Sequence, residues 1–392
     1  MIAIFKKSFF TNKKYIAIIW IVIAIISAIK QFSIHSLNNY LIFKNVFWHT
    51  IHQTSLYTEY PAEYFDHNHY GPVFSLFIAP FALMPDGLGV IFWNAFNAIL
   101  LVWAISKLPL QSNKINLILW ITVNEFVTAN LGFQFNPIMT AIIIFSYVCI
   151  VTEKDFWAAF CIVLGTFIKL YGVVGLAFFF FSKNKPKFIG ALVVWSIILF
   201  VLPMFISSPE FILNSYKEWF ERLLVKNAEN ASLNSMQDIS AMGIFRRVLQ
   251  MPNVSNLPFL AVGLLLFGLP YLRIKLYSNE KFKLLLLASV LIFTVIFSSG
   301  SESPTYIIAF LGVAIWFVIQ ESPISIVNWV LFIFAIIVTS LSPTDLMPRY
   351  LQDNVIEPYA LKALPCVLIW FKIIYEMMTL KDVNANLIEL KS

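Results

Sequence analysis

Long apolar stretches alternate with short polar links along almost the whole chain. The first stretch runs from Tyr15 to Ile29, and similar ones recur as far as the C-terminal region. A helix needs about 17 to 25 mostly apolar residues to cross a bilayer, and the stretches fit this length. The pattern predicts an all-α, polytopic integral membrane protein with about ten to twelve transmembrane helices. We expect one transmembrane domain comprising residues 1–392.

One apolar stretch, Phe156–Phe181, is too short for the two crossings that its flanking basic links require. Lys154 and Lys183 flank it, and both belong to links on the same side of the membrane. Three glycines interrupt it near Lys169 and Tyr171, namely Gly165, Gly172 and Gly175. Interrupted helices occur in membranes only where protein covers them or where they line a wet cavity. We therefore expect a broken or re-entrant helix pair with a functional site beside it.

Composition and charge agree with a membrane location. Hydrophobic residues make up 59% of the chain and charged residues only 12%, which is unsuitable for a water-soluble domain. The net charge of +6 arises mainly from the short links, so it indicates topology rather than nucleic-acid binding.

The basic links predict the orientation of the chain. The first helix follows four lysines, Lys6, Lys7, Lys13 and Lys14. The positive-inside rule places them in the cytoplasm, together with both termini. The first loop (residues 31–70) and the long loop (residues 207–256) then face the periplasm or exterior of a plasma (inner) membrane. We expect the first loop to be ordered and the long loop to form surface helices rather than a separate domain.

Polar groups beside apolar segments are costly and therefore indicate function. Lys169, in FIKLYG, either contacts a phosphate or another anion or extends to the lipid headgroups. Gln134 and Asn136, in the turn GFQFNP, either bind sugar hydroxyls or cap the following helix. Arg246 and Arg247 either hold a phosphodiester or anchor their segment at the membrane interface.

The first loop also offers a base for transfer to a hydroxyl group. Asp66, in YFDHNHYGP, lies just before the chain returns to apolar sequence, where partial desolvation can tune its pKa. A solvated carboxylate or a helix cap is the alternative. Glu302, in SSGSESPTY, is a second acidic candidate. All five histidines fall in the first loop, but they match no metal-binding motif, so we expect neither a metal nor another cofactor.

Several motifs together resemble glycosyltransferase family 87. The similar segments extend from about Asn38 to Ile308 and include NNYLIFKNVF, YGPVFSLFIAPFALMP, GFQFNP, FIKLYG and DISAMGIFRRV. The resemblance implies a GT-C architecture and transfer of a sugar, typically mannose, from a polyprenyl-phosphate donor to a hydroxyl acceptor. It implies inversion at the anomeric carbon, without a metal, at the external leaflet.

The resemblance also assigns roles to residues of this chain. It implies that Lys169 contacts the donor phosphate, that Gln134 and Asn136 bind the sugar or headgroup, and that an aspartate of the first loop is the base. The matching position here is Asn39, and an amide cannot act as a base. Asp66 or Glu302 then fills the role, or the acceptor differs, or the chain is not catalytic.

The sequence thus favours a membrane hexosyltransferase that acts on a glycan or lipid acceptor. We expect Asp66 and Glu302 to be catalytic and Lys169, Arg246 and Arg247 to bind the donor phosphate. Four residues are expected to bind the sugar or acceptor: Asn39, Gln134, Asn136 and Tyr171. The alternatives are a transporter or flippase of a lipid-linked or anionic solute, and a non-catalytic scaffold of the same architecture.

Overall fold

The computed structural model describes residues 11–233 and 235–381, so Lys6 and Lys7 of the predicted topology lie outside the described residues. Helices dominate, and no strand occurs in these two ranges. The chain divides into two compact units. The N-terminal unit extends to Asn230 and includes Ser303–Ile307, and the C-terminal unit comprises Ala231–Glu302 and the chain from Ile308 onward. The single transmembrane domain stays a prediction.

Helices of the N-terminal unit follow one another with short connections. They are α1 (Lys13–Ser33), α2 (Asn38–His52), α3 (Phe74–Ala82), α4 (Asp86–Ile105), α5 (Ser112–Leu131), α6 (Asn136–Val151), α7 (Asp155–Ile168), α8 (Lys185–Val201) and α9 (Pro209–Asn230). A 3-10 helix, Leu170–Phe181, separates α7 from α8. The core of this unit forms where α4 packs against α1 and α6, and where α7 packs against α6, α8 and the 3-10 helix.

The C-terminal unit contains a further set of helices. They are α10 (Ala241–Leu249), α11 (Leu257–Gly268), α12 (Glu280–Ile296), α13 (Tyr306–Val318), α14 (Ile326–Phe334) and α15 (Leu364–Thr379). The first two residues of α13 belong to the N-terminal unit. Helices α12 and α15 pack against each other. A π-helical segment, Ala335–Ser340, follows α14.

Three helical segments of the described residues are long and apolar enough to cross a membrane, namely Lys13–Ser33, Asp86–Ile105 and Lys185–Phe205. Several shorter apolar helices accompany them. The first confirms the helix expected over Tyr15–Ile29. The number of crossings and the GT-C topology stay predictions, whereas the all-helical class is confirmed.

The first loop contains a helix, α2, that its polar composition did not predict. Helix α2 buries Tyr40, Phe43, Val46 and Phe47. Phe43 is three residues from Tyr40 and three or four from Val46 and Phe47, so these side chains form one apolar face. The hydroxyl of Tyr40 donates to the carbonyl oxygen of Phe81 at 3.0 Å. This packing explains why the segment is ordered, as the sequence predicted. Helix α9 and helix α10 likewise confirm the ordered helices expected in the long loop.

The helix break expected between Phe156 and Phe181 is confirmed. Helix α7 ends at Ile168, and Lys169 adopts an extended conformation (φ −149°, ψ 123°) before the 3-10 helix begins. The two helical segments then pack together at Gly165 and Gly172. A Cβ atom on Gly172 would overlap the backbone of Gly165. Glycine is needed at this contact because it has no Cβ atom. The break leaves Lys169 at the end of the two packed segments.

Candidate functional site

The turn between α5 and α6 is fixed from several sides. Phe133 and Phe135, the two neighbours of Gln134 in the sequence, are buried and pack the turn into the apolar core. The indole Nε1 of Trp93 donates to the carbonyl oxygen of Phe133 at 2.9 Å. The amide Nδ2 of Asn39 donates to the carbonyl oxygen of Gly132 at 2.7 Å. Helices α2 and α4 therefore both hold the backbone that carries Gln134.

Lys169 lies at the centre of a polar cluster with Asn136 and Gln134. Its Nζ donates to the Oδ1 of Asn136 at 3.0 Å, and the Nδ2 of Asn136 donates to the Oε1 of Gln134 at 3.4 Å. Two aromatic rings face the ammonium group, that of Tyr171 at 4.7 Å and that of Tyr70 at 5.9 Å from the ring centroid. Residues far apart in sequence thus converge on one cation, and we call this group the Lys169 cluster.

The end of the first loop supplies Tyr70 to the Lys169 cluster. The buried side chain of Asn68 accepts from the Tyr70 N–H at 2.9 Å and donates to the Tyr70 carbonyl at 3.0 Å. The N–H of Gly71 donates to the carbonyl oxygen of Ile168 at 3.0 Å, directly before Lys169. A Cβ atom on Gly71 would overlap the Phe167 carbonyl oxygen, so glycine is needed for this approach.

The chemistry of the Lys169 cluster suits an anionic ligand. A partly buried ammonium is screened less by water than an exposed one, so its attraction for a phosphate oxygen is stronger. The amides of Asn136 and Gln134 are donors and acceptors of the kind that bind hydroxyl groups. The tyrosine rings stabilise the cation and offer apolar faces. The cluster therefore combines a phosphate contact with groups that fit a sugar.

Asp66 lies in a different environment, between the first loop and α9. Its backbone is left-handed (φ 73°), and its Oδ1 accepts from the His67 N–H at 2.8 Å. Its Oδ2 lies 3.6 Å from the Nζ of Lys226, and its Oδ1 lies 3.7 Å from the Nε2 of His69. Partial burial by itself raises the pKa of Asp66. The nearby His69, the His67 N–H and the Lys226 charge outweigh burial, so the pKa lies well below its usual range.

The two predicted phosphate-binding arginines lie in the C-terminal unit, and both are buried. Arg246 pairs with Asp238 and also donates to Asn256 and to the carbonyl oxygen of Val254.

Arg247 donates to three backbone carbonyl oxygens, those of Ser235, Gln237 and Glu357, at 2.6, 2.6 and 3.1 Å. These bonds join α10 to the preceding segment and to residues before α15. The surroundings of both arginines favour a structural role, and their role at a phosphate stays a prediction. Glu302 also belongs to the C-terminal unit and stays a predicted base.

No group of three or more His, Cys, Asp or Glu side chains is arranged to hold a metal ion in residues 11–233 and 235–381. Three histidines of the first loop, His49, His67 and His69, lie close to carboxylates. The Nε2 of His49 lies 2.9 Å from the Oε2 of Glu63, and the Nε2 of His67 lies 3.6 Å from the Oε1 of Glu59.

Sequence reasoning missed three contributors to this region, Tyr70, Asn68 and His69. The motif YGP had marked the return of the chain to apolar sequence, and an asparagine side chain often forms a turn by bonding to the backbone two residues further along. Together these signals could have identified the turn. The contact of Tyr70 with Lys169 could not have been predicted, because the two residues are joined only by the fold.

Replacing Asn39 with aspartate tests whether this position is a lost base. The Asn39→Asp carboxylate would face the Gly132 carbonyl oxygen at the place where an amide N–H now donates. We expect the unfolding free energy to fall by about 1–3 kcal/mol at neutral pH because two acceptors then oppose each other. The loss should shrink below about pH 4, where a protonated carboxyl donates again. Thermal unfolding in detergent at several pH values measures it.

The matched variant Asn39→Ala removes the hydrogen bond without adding a charge. It should be destabilised independently of pH. If Asn39→Asp instead kept full stability and increased the rate of transfer, a carboxylate at position 39 would act as the base. The asparagine found there would then explain a loss of activity.

Comparison with known proteins gives one family. The model of Glycosyltransferase family 87 matches residues 68–299, which is more than half of the 392 residues. The matched region contains the predicted members of the Lys169 cluster, Gln134, Asn136, Lys169 and Tyr171, together with Tyr70. Asn39, Asp66 and Glu302 fall outside it. No curated protein matches the chain significantly.

Proposed function

The chain belongs to glycosyltransferase family 87, and we propose that it transfers a hexose, mannose foremost, from a polyprenyl-phosphate donor to a hydroxyl group of a glycan or lipid. The family makes it a glycosyltransferase, and the apolar helices indicate a membrane protein. The proposed setting is the external leaflet of the plasma (inner) membrane, with the termini in the cytoplasm and a GT-C architecture.

One observation carries the donor assignment, namely the Lys169 cluster at the break between α7 and the 3-10 helix. A polyprenyl-phosphate sugar is a phosphodiester, and it presents anionic oxygens beside the hydroxyl groups of the sugar. Lys169 would bind the oxygens, and Gln134, Asn136 and Tyr171 would contact the sugar or acceptor. The apolar segments on both sides of Lys169 suit a donor that carries a long hydrocarbon chain.

The proposed reaction is a single displacement with inversion. The acceptor oxygen forms a bond with the anomeric carbon while the bond from that carbon to the phosphate oxygen breaks. The polyprenyl phosphate departs with the electron pair of that bond, and Lys169 stabilises the charge that develops on it. The acceptor hydroxyl loses its proton to a base. Asp66 and Glu302 are the predicted bases, and Asn39 contacts the acceptor only through its amide.

Transfer by the purified full chain in lipid nanodiscs tests this function. The donors are polyprenyl-phosphate mannose, polyprenyl-phosphate glucose and, for comparison, the corresponding nucleotide sugars. The acceptor is a mixed lipid and glycan extract, assayed with and without a chelator. We expect chelator-resistant transfer from a polyprenyl-phosphate sugar and none from the nucleotide sugars. Transfer from a nucleotide sugar alone would overturn the donor assignment.

The same assay separates the alternatives. Donor binding without turnover would favour a non-catalytic scaffold, for which the amide at Asn39 is the specific observation. Movement of an intact lipid-linked sugar across a vesicle membrane, without transfer, would favour a flippase.

A further inference from the structure

Helix α9 (Pro209–Asn230) has a broad apolar face, and the described part of the chain covers only one half of it. In the covered half, Ile212 is fully buried, and Trp219 packs against Leu56 and Tyr57 of the first loop. The uncovered half consists of three side chains that are 51%, 63% and 57% exposed, namely Leu213, Phe220 and Leu224. The apolar face is therefore wider than its contact with the first loop requires.

The three exposed side chains form one stripe along α9. Leu213 and Phe220 are seven residues apart, and Leu224 follows four residues later, so all three point to the same side of the helix. Most of the remaining surface is polar and carries four acidic and three basic residues, namely Glu210, Glu218, Glu221, Glu229, Lys217, Arg222 and Lys226. Because these charges nearly cancel, apolar contact rather than attraction to an anionic partner would stabilise a complex at the stripe.

Helix α9 packs against the end of a segment that is long and apolar enough to cross a membrane. This segment is Lys185–Phe205, and α9 begins four residues after it. The ring of Tyr216 stacks on the ring of Phe200 near that end, with the centroids 4.5 Å apart. Tyr216 is three residues after Leu213 and four before Phe220, so it lies beside the exposed stripe. The side of α9 that meets the end of the apolar segment thus also carries the stripe.

Lipid is the partner that fits this stripe. The exposed apolar surface of the neighbouring segment continues up to α9 through Ile197, Val201 and Phe205. A helix with an apolar stripe and a charged opposite side lies in the plane of the membrane surface, with the stripe about 5–10 Å deep in the lipid. A protein partner fits less well, because three partly exposed side chains offer far less than the roughly 800 Å² that each partner of a stable complex buries.

The same helix contacts both chain segments that converge at Lys169. The ring of Tyr216 lies 6.1 Å from that of Phe167, close to the end of α7, in an edge-to-face arrangement. Two ring carbons of Trp219 lie 3.0 Å from the position that a Cβ atom on Gly71 would occupy, at the end of the first loop. The position of α9 relative to the lipid therefore fixes the depth of these two segments.

We propose that α9 is a membrane-surface helix, with Leu213, Phe220 and Leu224 immersed in the lipid where Lys185–Phe205 leaves the bilayer. The helix anchors the first loop to the membrane and keeps the end of α7 near the level of the lipid headgroups. The phosphate of a lipid-linked substrate lies at that level as well. This docking goes beyond the proposed transfer reaction and does not depend on which sugar or acceptor is used.

An environment-sensitive fluorescent amino acid, inserted by amber suppression, tests the position of α9 in the full chain in phosphatidylcholine vesicles. It replaces Leu213, Phe220 or, as a control on the polar side of the helix, the exposed Glu221. One quencher is a lipid with a nitroxide near the headgroup end of its acyl chain, and the other is iodide on both sides of the membrane. We expect the probes at Leu213 and Phe220 to be quenched by the nitroxide and protected from iodide. The probe at Glu221 should show the reverse.

A charge variant tests whether the stripe causes the docking. Phe220→Glu places a carboxylate where the lipid would be, so a probe at Leu213 should lose most of its quenching by the nitroxide. Val225→Glu is the matched control, because Val225 is also exposed but lies on another side of the helix. This control should leave the quenching at Leu213 unchanged.

Two results would overturn the proposal. Quenching of all three probes by iodide alone would place α9 in water. Protection of Leu213 and Phe220 from both quenchers would show that protein, and not lipid, covers the stripe. If the probe at Phe220 prevents folding, Leu224 of the same stripe takes its place. These readouts do not require sugar transfer, so an inactive chain would overturn the proposed function without affecting the test of α9.

Discussion

Replacing Lys169 with alanine is expected to lower kcat/KM for sugar transfer by about 10²- to 10³-fold, the usual effect of losing one charged group that stabilises a developing anion. The ammonium group is the cationic centre of the Lys169 cluster and donates to Asn136 at 3.0 Å. Without it, the departing phosphate loses its counter-charge, and the Oδ1 of Asn136 loses the donor that orients its amide toward Gln134. Initial rates at several donor concentrations measure the effect.

Two controls give this result its meaning. Lys183→Ala removes an exposed lysine that pairs with Glu153 at 2.6 Å, and it should leave transfer unchanged. Lys169→Arg keeps the charge but changes its shape, so it should restore only part of the activity. Full donor binding and full turnover in Lys169→Ala would contradict a phosphate contact. The Lys169 side chain would then only extend to the lipid headgroups, which is the alternative that the sequence left open.

Replacing Gly172 with alanine is expected to cause the largest loss of stability. The new Cβ atom would overlap the backbone of Gly165 and Thr166, and backbone atoms cannot move aside as a flexible side chain can. Overpacking of this kind costs about 1–3 kcal/mol, and the upper end is expected here. Because the 3-10 helix would move away from α7, the geometry around Lys169 should change too. Thermal unfolding in detergent, together with donor binding, measures both effects.

Gly190→Ala is the matched control for this substitution. No atom lies within 4 Å of the Cβ position at Gly190, which is inside α8. Alanine there should stabilise the helix by about 0.5–1 kcal/mol through its better helix propensity. Equal melting temperatures for Gly172→Ala and the wild type would show that the two segments do not need their close packing.

Much of the helical architecture could be predicted from the spacing of apolar residues. The apolar stretch from Tyr15 to Ile29 corresponds to the helix Lys13–Ser33. The glycines between Phe156 and Phe181 identified the helix break, because only an interrupted pair reconciles a short apolar stretch with basic links on one side. Helix α2 was missed, because its polar residues suggested a loop and its apolar face becomes clear only when its packing partners are known.

The candidate site was predictable in part. Lys169, Gln134 and Asn136 were identified because polar groups near apolar segments are costly, and the fold brings the three together. The surroundings of Arg247 could not be predicted, since its carbonyl partners include that of Glu357, far along the chain. The pairing of Asp66 with Lys226 likewise depends on how α9 lies along the first loop.

The hydrogen bond between Gly71 and Ile168 also dictates when the site can form during biosynthesis. Ribosomes add about 5–20 residues per second, so the roughly 100 residues between these partners require about 5–20 s. Throughout that interval the newly inserted Tyr70 has no lysine to face. The helix that anchors the His69 carbonyl through Trp219 is made later still. A nascent chain released before Trp219 would thus contain every member of the Lys169 cluster and still lack the helix that holds the loop beside it.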